Sequence, residues 1–101
     1  MSKIFDSRVA IYVSTITEIE VLGFPQLTDE EKTEIEKMLK TMLIVPLDSQ
    51  IANIAASIRR MYRLKTPDSA VAATALFTGT ILLTRNIGDF KKITGLRVEE
   101  I

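Results

Sequence analysis

Residues 66–90 read TPDSAVAATALFTGTILLTRNIGDF and carry the signals of a helix, a strand and a polar loop in succession. Thr66 is suited to cap the helix, and Pro67 fits its first position, where the missing N–H costs no hydrogen bond. Gly79 is a typical residue for the end of a helix. The apolar, β-branched run at 80–84 predicts a short buried strand, and a polar loop closes the stretch.

Two carboxylates flank this helix and strand. Asp68 lies in the first turn of the predicted helix, and Asp89 lies in the loop at the carboxyl end of the strand. The helix consists almost entirely of small residues from Ala70 to Ala75, so it is able to lie close to a sheet. If the strand runs parallel to its neighbours, both acids lie at the edge of the sheet where open α/β folds place their ligands.

Composition excludes several kinds of active site. The chain has 101 residues, 47% of them hydrophobic, which is enough for one domain with a core. It contains neither histidine nor cysteine, so a Ser-His-Asp triad, thiol chemistry, disulfides and histidine metal ligands are excluded. Its 13 basic and 13 acidic residues cancel, so nucleic-acid binding would need a local basic patch. We see no membrane span or signal peptide and expect a cytoplasmic protein.

The rest of the chain alternates strand and helix signals. We predict a strand at 9–13, a helix that turns out of Ser14 and ends at Gly23, and a helix capped by Thr28 with Glu31 as its capping-box partner. A strand at 43–45, a helix capped by Asp48 and a last strand at 96–98 complete the order. The order β-α-α-β-α-α-β-β predicts a single α/β domain over residues 1–101 with a mainly parallel sheet.

Two motifs in the central stretch resemble the late signature of the PIN domains, most closely the VapC-type toxins. The first is Pro67-Asp68 followed by Ala72-Ala73-Thr74-Ala75, and the second is Leu83-Thr84-Arg85-Asn86 followed by Asp89-Phe90. The run from Ser14 to Glu20 resembles the family's second motif, Ser-x-Ile-Thr-x-x-Glu, which favours Glu20 over Glu18 as the functional acid. The resemblance implies a PIN-like three-layer fold.

The resemblance also implies a function and a site. PIN domains of this type are toxins of toxin-antitoxin systems and act as metal-dependent endoribonucleases, so an RNA substrate, an antitoxin protein and a homodimer are the expected partners. Asp68, Asp89 and Glu20 would be catalytic and would bind Mg²⁺ or Mn²⁺. In supporting roles, Asn86 would orient a ligand or the phosphate and Thr84 would hydrogen-bond a carboxylate. The cluster of Arg59, Arg60 and Arg63 would hold flanking phosphates.

Each of these residues also has a purely structural interpretation. Asp68 in a first helical turn is favoured by the helix dipole alone, and Glu20 has capping-box spacing from Thr17. Asp89 is typical of a turn. The arginine cluster also suits the carboxyl end of a helix, where cations are favourable.

The sequence departs from the family at its start. The family begins with an apolar strand that ends in Leu-Asp-Thr-Asn, and this motif is absent; Asp6 lies in Ile-Phe-Asp-Ser instead. Residues 1–8 resemble the stretch before the second PIN strand, so we expect the chain to lack the first strand, the first helix and the first acid. In the family that strand is central, between the strands at 9–13 and 80–84. Its absence leaves two inner edges, which either close on each other or are filled by a second copy or a partner.

The missing acid leaves two functional hypotheses open. The first is a VapC-like endoribonuclease, and the second is an inactive PIN remnant that serves as a binding or oligomerisation module. Metal-dependent RNA cleavage distinguishes the two. A third interpretation, an α/β domain without a phosphodiester site, is disfavoured because both late motifs occur in order.

Overall fold

A computed structural model describes residues 11–100, in which short parallel strands alternate with helices. The chain divides into two units, residues 1–45 and residues 46–101. The first unit contains β1 (Tyr12–Ser14), α1 (Thr15–Leu22), α2 (Asp29–Leu39) and β2 (Leu43–Val45). The second contains α3 (Ser49–Tyr62), α4 (Thr66–Thr78), β3 (Leu82–Thr84), α5 (Ile87–Phe90) and β4 (Val98–Glu100). The predicted α/β class is confirmed.

In the first unit, β1 and β2 form a parallel pair. Tyr12 lies opposite Leu43 and Ser14 opposite Val45, and the Leu43 N–H donates to the Ile11 carbonyl at 2.8 Å. The strand predicted at 9–13 thus ends one residue later, at Ser14, while its first two residues and the stretch 1–8 lie outside the described residues.

Side chains define the ends of the two helices of this unit. The Ser14 hydroxyl accepts from the Ile16 N–H at 3.2 Å and caps α1, so Thr17 does not begin this helix. At α2 the predicted capping box is confirmed. The Glu31 N–H donates to the Thr28 hydroxyl at 3.1 Å, and the Thr28 N–H donates to the Glu31 carboxylate at 3.0 Å. The pKa of Glu31 is lowered, because hydrogen bonds from the Thr28 backbone and then from its side chain favour the charged carboxylate.

The core of the second unit lies between α3 and α4. Asp48 caps α3 as predicted, since its carboxylate accepts from the Ile51 N–H at 2.9 Å. Ile51 and Ile58 of α3 are buried. Facing them, α4 buries a nearly continuous run of small side chains: Ser69, Ala70, Ala72, Ala73, Thr74 and Ala75. The small residues allow close packing of the two helices, whereas the sequence had been expected to bring α4 close to a sheet.

The start of α4 differs from the prediction. Lys65 is the N-cap residue and provides no side-chain hydrogen bond, so Thr66 is the first helical residue and not the cap, and Pro67 is the second. The Ser69 N–H donates to the Lys65 carbonyl at 2.9 Å. This hydrogen bond makes Lys65 the cap residue, so the helix begins one residue earlier, at Thr66. The end at Gly79 is as predicted, in the left-handed conformation with φ 66°.

The strands of the second unit are shorter or shifted. The run at 80–84 forms a strand only from Leu82, and the last strand is Val98–Glu100 instead of 96–98. Leu82 pairs with Val98 and Thr84 with Glu100 in parallel register. The polar segment predicted as a loop instead contains the single-turn helix α5, which begins after Asn86.

The two strand pairs form two separate sheets. Within residues 11–100, β1 is hydrogen-bonded only to β2, and β3 only to β4. This leaves one side of β1 and one side of β3 without a strand partner in the described part of the chain. How the inner edges on either side of the family's central strand are filled stays a prediction.

Candidate metal centre

Asp89 is held by a small hydrogen-bonded turn at the carboxyl end of β3. The Thr84 hydroxyl accepts from the Asn86 N–H at 3.0 Å, and the Asn86 side-chain amide donates to Asp89 Oδ2 at 2.5 Å. The Asp89 N–H in turn donates to the Asn86 carbonyl at 3.3 Å. The turn fixes one carboxylate oxygen of this exposed side chain and leaves Oδ1 available to a ligand.

The predicted roles of Thr84 and Asn86 change in this geometry. Thr84 was expected to hydrogen-bond a carboxylate, but it contacts the Asn86 backbone and stabilises the turn. Asn86 was expected to orient a ligand or phosphate, and it orients the Asp89 carboxylate. Both residues therefore support Asp89, one through the backbone and one directly.

Asp68 lies in the first turn of α4 and is half-buried. Because α4 ends at Gly79 and the chain then turns directly into β3, the start of α4 lies toward the carboxyl end of that strand. That Asp68 and Asp89 lie together at this end of the second unit stays a prediction. The adjacent Ser69 hydroxyl is buried and makes no hydrogen bond, so it adds no support to the acid.

Glu20 lies in the first unit, where it is exposed on α1. Its alternative role as the partner of Thr17 in a capping box is wrong, because α1 already begins at Thr15 with Ser14 as its cap. Within residues 11–100, no group of three or more acidic side chains is arranged to hold a metal ion. The structure therefore shows the Asp89 turn, and the grouping of Asp68, Asp89 and Glu20 around one cation stays a prediction.

The arginine cluster lies at the carboxyl end of α3. Arg59 and Arg60 are exposed in the last turn, and Arg63 follows as the C-cap residue in the left-handed conformation. Their positive charges complement the helix dipole, which is their structural interpretation. Their exposure also leaves the guanidinium groups accessible to phosphates.

Two contacts that no sequence signal predicts anchor the segment after α5. The Thr94 N–H donates to the Tyr62 hydroxyl at 3.1 Å, and this hydroxyl lies 3.3 Å from the Thr94 hydroxyl. These contacts lower the pKa of Tyr62 through its hydrogen bonds to Thr94. Arg97 donates to the Gly79 carbonyl at 2.8 Å. The residues are 32 and 18 positions apart, so local patterns carry no information about them.

A groove of about 640 Å³ opens elsewhere, along the start of α2. It is lined by Leu27, Glu30, Glu31, Thr33, Glu34 and Ile35. None of the predicted site residues lines it. Its carboxylates are partly engaged already, since Glu31 belongs to the capping box and Glu34 lies 3.6 Å from the Lys37 ammonium.

Comparison with known proteins decides the family. The PIN domain family matches residues 2–96, which is nearly the whole chain. This protein belongs to the PIN-domain family. The curated protein Ribonuclease VapC1 of Rickettsia felis is 34% identical over 99 residues, which cover 86% of this chain and 73% of the relative.

Solved structures give the same fold. A toxin-antitoxin complex from Klebsiella pneumoniae matches this PIN domain with a TM-score of 0.75 and 32% identity, over 89% of this chain and 75% of that chain. The VapBC2 complex of Rickettsia felis bound to a promoter DNA fragment matches with a TM-score of 0.80 over 91% of this chain and 75% of that one. At 19% identity the second match supports the fold alone.

The donor atoms of this PIN domain fit a hard cation. Members of the family depend on a metal, and the chain offers carboxylate, amide and hydroxyl oxygens but no imidazole or thiolate. Mg²⁺ prefers oxygen ligands and keeps several of its waters, so one or two carboxylates suffice to hold it. Asp89, whose Oδ2 accepts a hydrogen bond from Asn86, is the predicted ligand of this kind. No helix within residues 11–100 has the length and apolar character needed to cross a bilayer.

Proposed function

We propose that this PIN domain is a VapC-like toxin that hydrolyses RNA phosphodiester bonds with Mg²⁺ or Mn²⁺. The observation that carries the proposal is the turn in which Asn86 holds Asp89 at the carboxyl end of β3. The match to a curated protein named Ribonuclease VapC1 supports the substrate class.

Each residue then has a defined task. Asp89 and Asp68 hold the cation, directly or through water, and Glu20 contributes a third carboxylate. Asn86 and Thr84 restrict Asp89 to the orientation in which its free oxygen is presented. Arg59, Arg60 and Arg63 bind flanking phosphates of the RNA. When bound, the metal polarises the phosphoryl oxygen and lowers the pKa of a water ligand.

The partners follow from the same family. The solved relative from Klebsiella pneumoniae is a toxin-antitoxin complex, which supports an antitoxin protein as the partner of this chain. We also propose that the chain forms a homodimer and acts in the cytoplasm. Both are consequences of the VapC-like assignment.

Cleavage of a labelled, structured RNA tests the nuclease. The purified chain should cleave the RNA with Mg²⁺ or Mn²⁺ and lose this activity with chelator. Asp68→Asn and Asp89→Asn should each reduce the rate by about 100-fold or more, because metal-assisted stabilisation of the transition state is worth several kcal/mol. Asp29→Asn is the matched control, since Asp29 is an exposed acid in the first turn of a different helix, α2. It should retain the parent rate.

A binding or oligomerisation module is the second candidate. It is favoured by the finding that, within residues 11–100, no three acidic side chains are grouped to hold a metal ion. If the folded parent does not cleave RNA with either metal, the nuclease proposal is wrong and the binding role is favoured. Equal activity in Asp89→Asn and the parent would also contradict the proposed site.

A further inference from the structure

Two contacts join the end of α3 to the segment that follows the Asp89 turn. The Thr94 N–H donates to the Tyr62 hydroxyl at 3.1 Å, and the hydroxyl oxygens of Tyr62 and Thr94 lie 3.3 Å apart. Tyr62 is the last residue of α3 and is half-buried. Ile93, just before Thr94, is 3% exposed, and its N–H donates to the Phe90 carbonyl at 3.1 Å. The end of α3 is therefore fixed against a packed turn.

Two exposed lysines lie on the stretch of chain between Asp89 and this contact. The Lys91 N–H donates to the Ile87 carbonyl at 2.9 Å and closes the single turn of α5 that contains Asp89. Lys92 follows directly, and both lysines are exposed. Each of them is two or three residues from Asp89 and from Thr94. Their ammonium groups are thus carried between the Asp89 turn and the end of α3.

Two arginines of the α3 end adjoin the same contact. Arg59 is three residues before Tyr62, and residues with this spacing are neighbours on the surface of a helix. Arg63 follows Tyr62 directly as the C-cap residue. Arg60 is two residues before Tyr62, which places it about 200° round the helix axis. Arg59 therefore shares the side of α3 that meets Thr94, whereas Arg60 lies away from it.

Arg63 has a backbone conformation that favours glycine. Its φ is 58°, and it is the only residue other than glycine with a positive φ within residues 11–100. An L-residue is sterically unfavourable in this left-handed region, in which Gly79 ends α4. Residues held in such conformations are frequent at functional sites. The arginine at the end of α3 thus occupies a position for which the backbone alone would favour glycine.

We propose that four exposed cations form one phosphate-binding surface beside the Asp89 turn: Arg59, Arg63, Lys91 and Lys92. The Tyr62–Thr94 contact holds the arginine half and the lysine half together. Guanidinium and ammonium groups neutralise successive phosphates of a nucleic acid without reading its sequence. This inference rests on the proposed function, which supplies RNA as the ligand. It deepens that function by adding the two lysines and by giving Arg60 a smaller part than Arg59.

The position of this surface favours RNA over an acidic segment of a protein. The surface begins two residues after Asp89, the proposed metal ligand. An RNA whose reacting phosphate lies at the metal therefore has its next phosphates within reach of these cations. A carboxylate-rich protein segment would meet the same charges, but its binding would be unrelated to the length of the RNA.

Binding of a labelled single-stranded RNA in the presence of a chelator tests the surface without cleavage. Fluorescence anisotropy at several salt concentrations gives the affinity and its salt dependence. Lys91→Gln with Lys92→Gln should weaken binding about 3- to 10-fold, the range expected for two exposed charge contacts. The slope of log K against log salt should decrease in magnitude by about 1.4, since each phosphate contact on a single strand contributes about 0.7.

A matched control and a comparison within α3 show whether position or charge alone matters. Lys32→Gln with Lys40→Gln removes the same charge from exposed positions at α2 and should keep the parent affinity and slope. Arg59→Gln should weaken binding more than Arg60→Gln, although each removes one charge from the last turn of α3. An equal effect of the two lysine variants would overturn the proposal, and so would equal effects of the two arginine variants.

Arg63→Gly separates RNA binding from folding. Glycine adopts the left-handed region without steric cost, so this variant should not lower the midpoint of urea unfolding. It should nevertheless weaken RNA binding about 2- to 5-fold, because one cation is lost. A variant that is as stable as the parent and binds RNA equally well would contradict the place of Arg63 in the surface.

Cleavage of RNAs of different length separates this inference from the nuclease. In an active chain, Lys91→Gln with Lys92→Gln should raise the KM for a long RNA more than for a dinucleotide, which has no flanking phosphates. An equal change would overturn the surface and leave the nuclease in place. An inactive chain with the expected binding pattern would support the surface and contradict the nuclease. Substitutions that weaken binding of polyglutamate but not of RNA would overturn the proposal in favour of an acidic protein partner.

Discussion

At the scale of single residues, Asn86 decides how Asp89 is presented. Its side-chain amide occupies Asp89 Oδ2, while its backbone N–H is held by Thr84. A carboxylate fixed in this way loses less rotamer freedom when it binds a cation. The side-chain amide of Asn86 thus sets the orientation of Asp89, a proposed metal ligand.

We predict that Asn86→Ala weakens Mn²⁺ binding about 10- to 100-fold, the range typical for loss of a residue that orients a metal ligand. Isothermal titration of the folded chain with Mn²⁺ measures this directly, without RNA. Asn53→Ala is the control, since Asn53 is an exposed residue of α3 whose amide contacts only the local Ser49 carbonyl at 2.8 Å. An unchanged affinity in Asn86→Ala would show that the turn is a structural feature only.

At the scale of secondary structure, Gly79 ends α4 and turns the chain toward β3. Its φ of 66° lies in the left-handed region, and its N–H lies 3.2 Å from the Leu76 carbonyl. No heavy atom would lie within 4 Å of an added Cβ, so a larger residue meets backbone strain but no collision.

Gly79→Ala should therefore lower the free energy of unfolding by about 1–2 kcal/mol, the cost of an L-residue in the left-handed region. Gly88→Ala is a matched control, because its Cβ would also meet nothing within 4 Å but its φ is not positive. The difference between the free energies of unfolding of the two variants, measured in urea, gives the cost of the backbone strain at position 79. Equal stability of the two would show that the turn relaxes to another conformation.

The elements show which features the sequence can predict. The ends of helices depend on neighbours within a few residues, so Gly79, Asp48 and the Thr28–Glu31 capping box were predicted correctly. The start of α4 was wrong by one residue, because a backbone hydrogen bond to Lys65 extends the helix without a side-chain cap. The helix α5 was missed because a single turn has no periodic pattern.

Only those features of the site that depend on residues close together in the sequence could be predicted. Asp89 and Asn86 are three residues apart in one motif, so both were expected at the site, but their direct contact was not predicted. Whether Glu20 meets the other acids depends on long-range packing, about which spacing along the chain says nothing. The Tyr62–Thr94 contact was inaccessible for the same reason.

At the scale of the whole molecule, the hydrophobic core is distributed unevenly. The second unit buries Ile51, Ile58, Leu82 and Phe90 together with the small residues of α4. The first unit, as far as it is described, buries only Ser14. Since burial of apolar surface is the main stabilising term in folding, most of the stability of the described fold resides in residues 46–100.

This imbalance predicts unequal hydrogen exchange. α1 and α4 both have backbone hydrogen bonds along their length, but α1 buries no side chain and α4 buries six. In a dilute solution of the chain, amides of α4 should exchange at least about tenfold more slowly than those of α1, because local opening of α1 exposes little further apolar surface. Mass spectrometry of peptides from the two helices measures the difference.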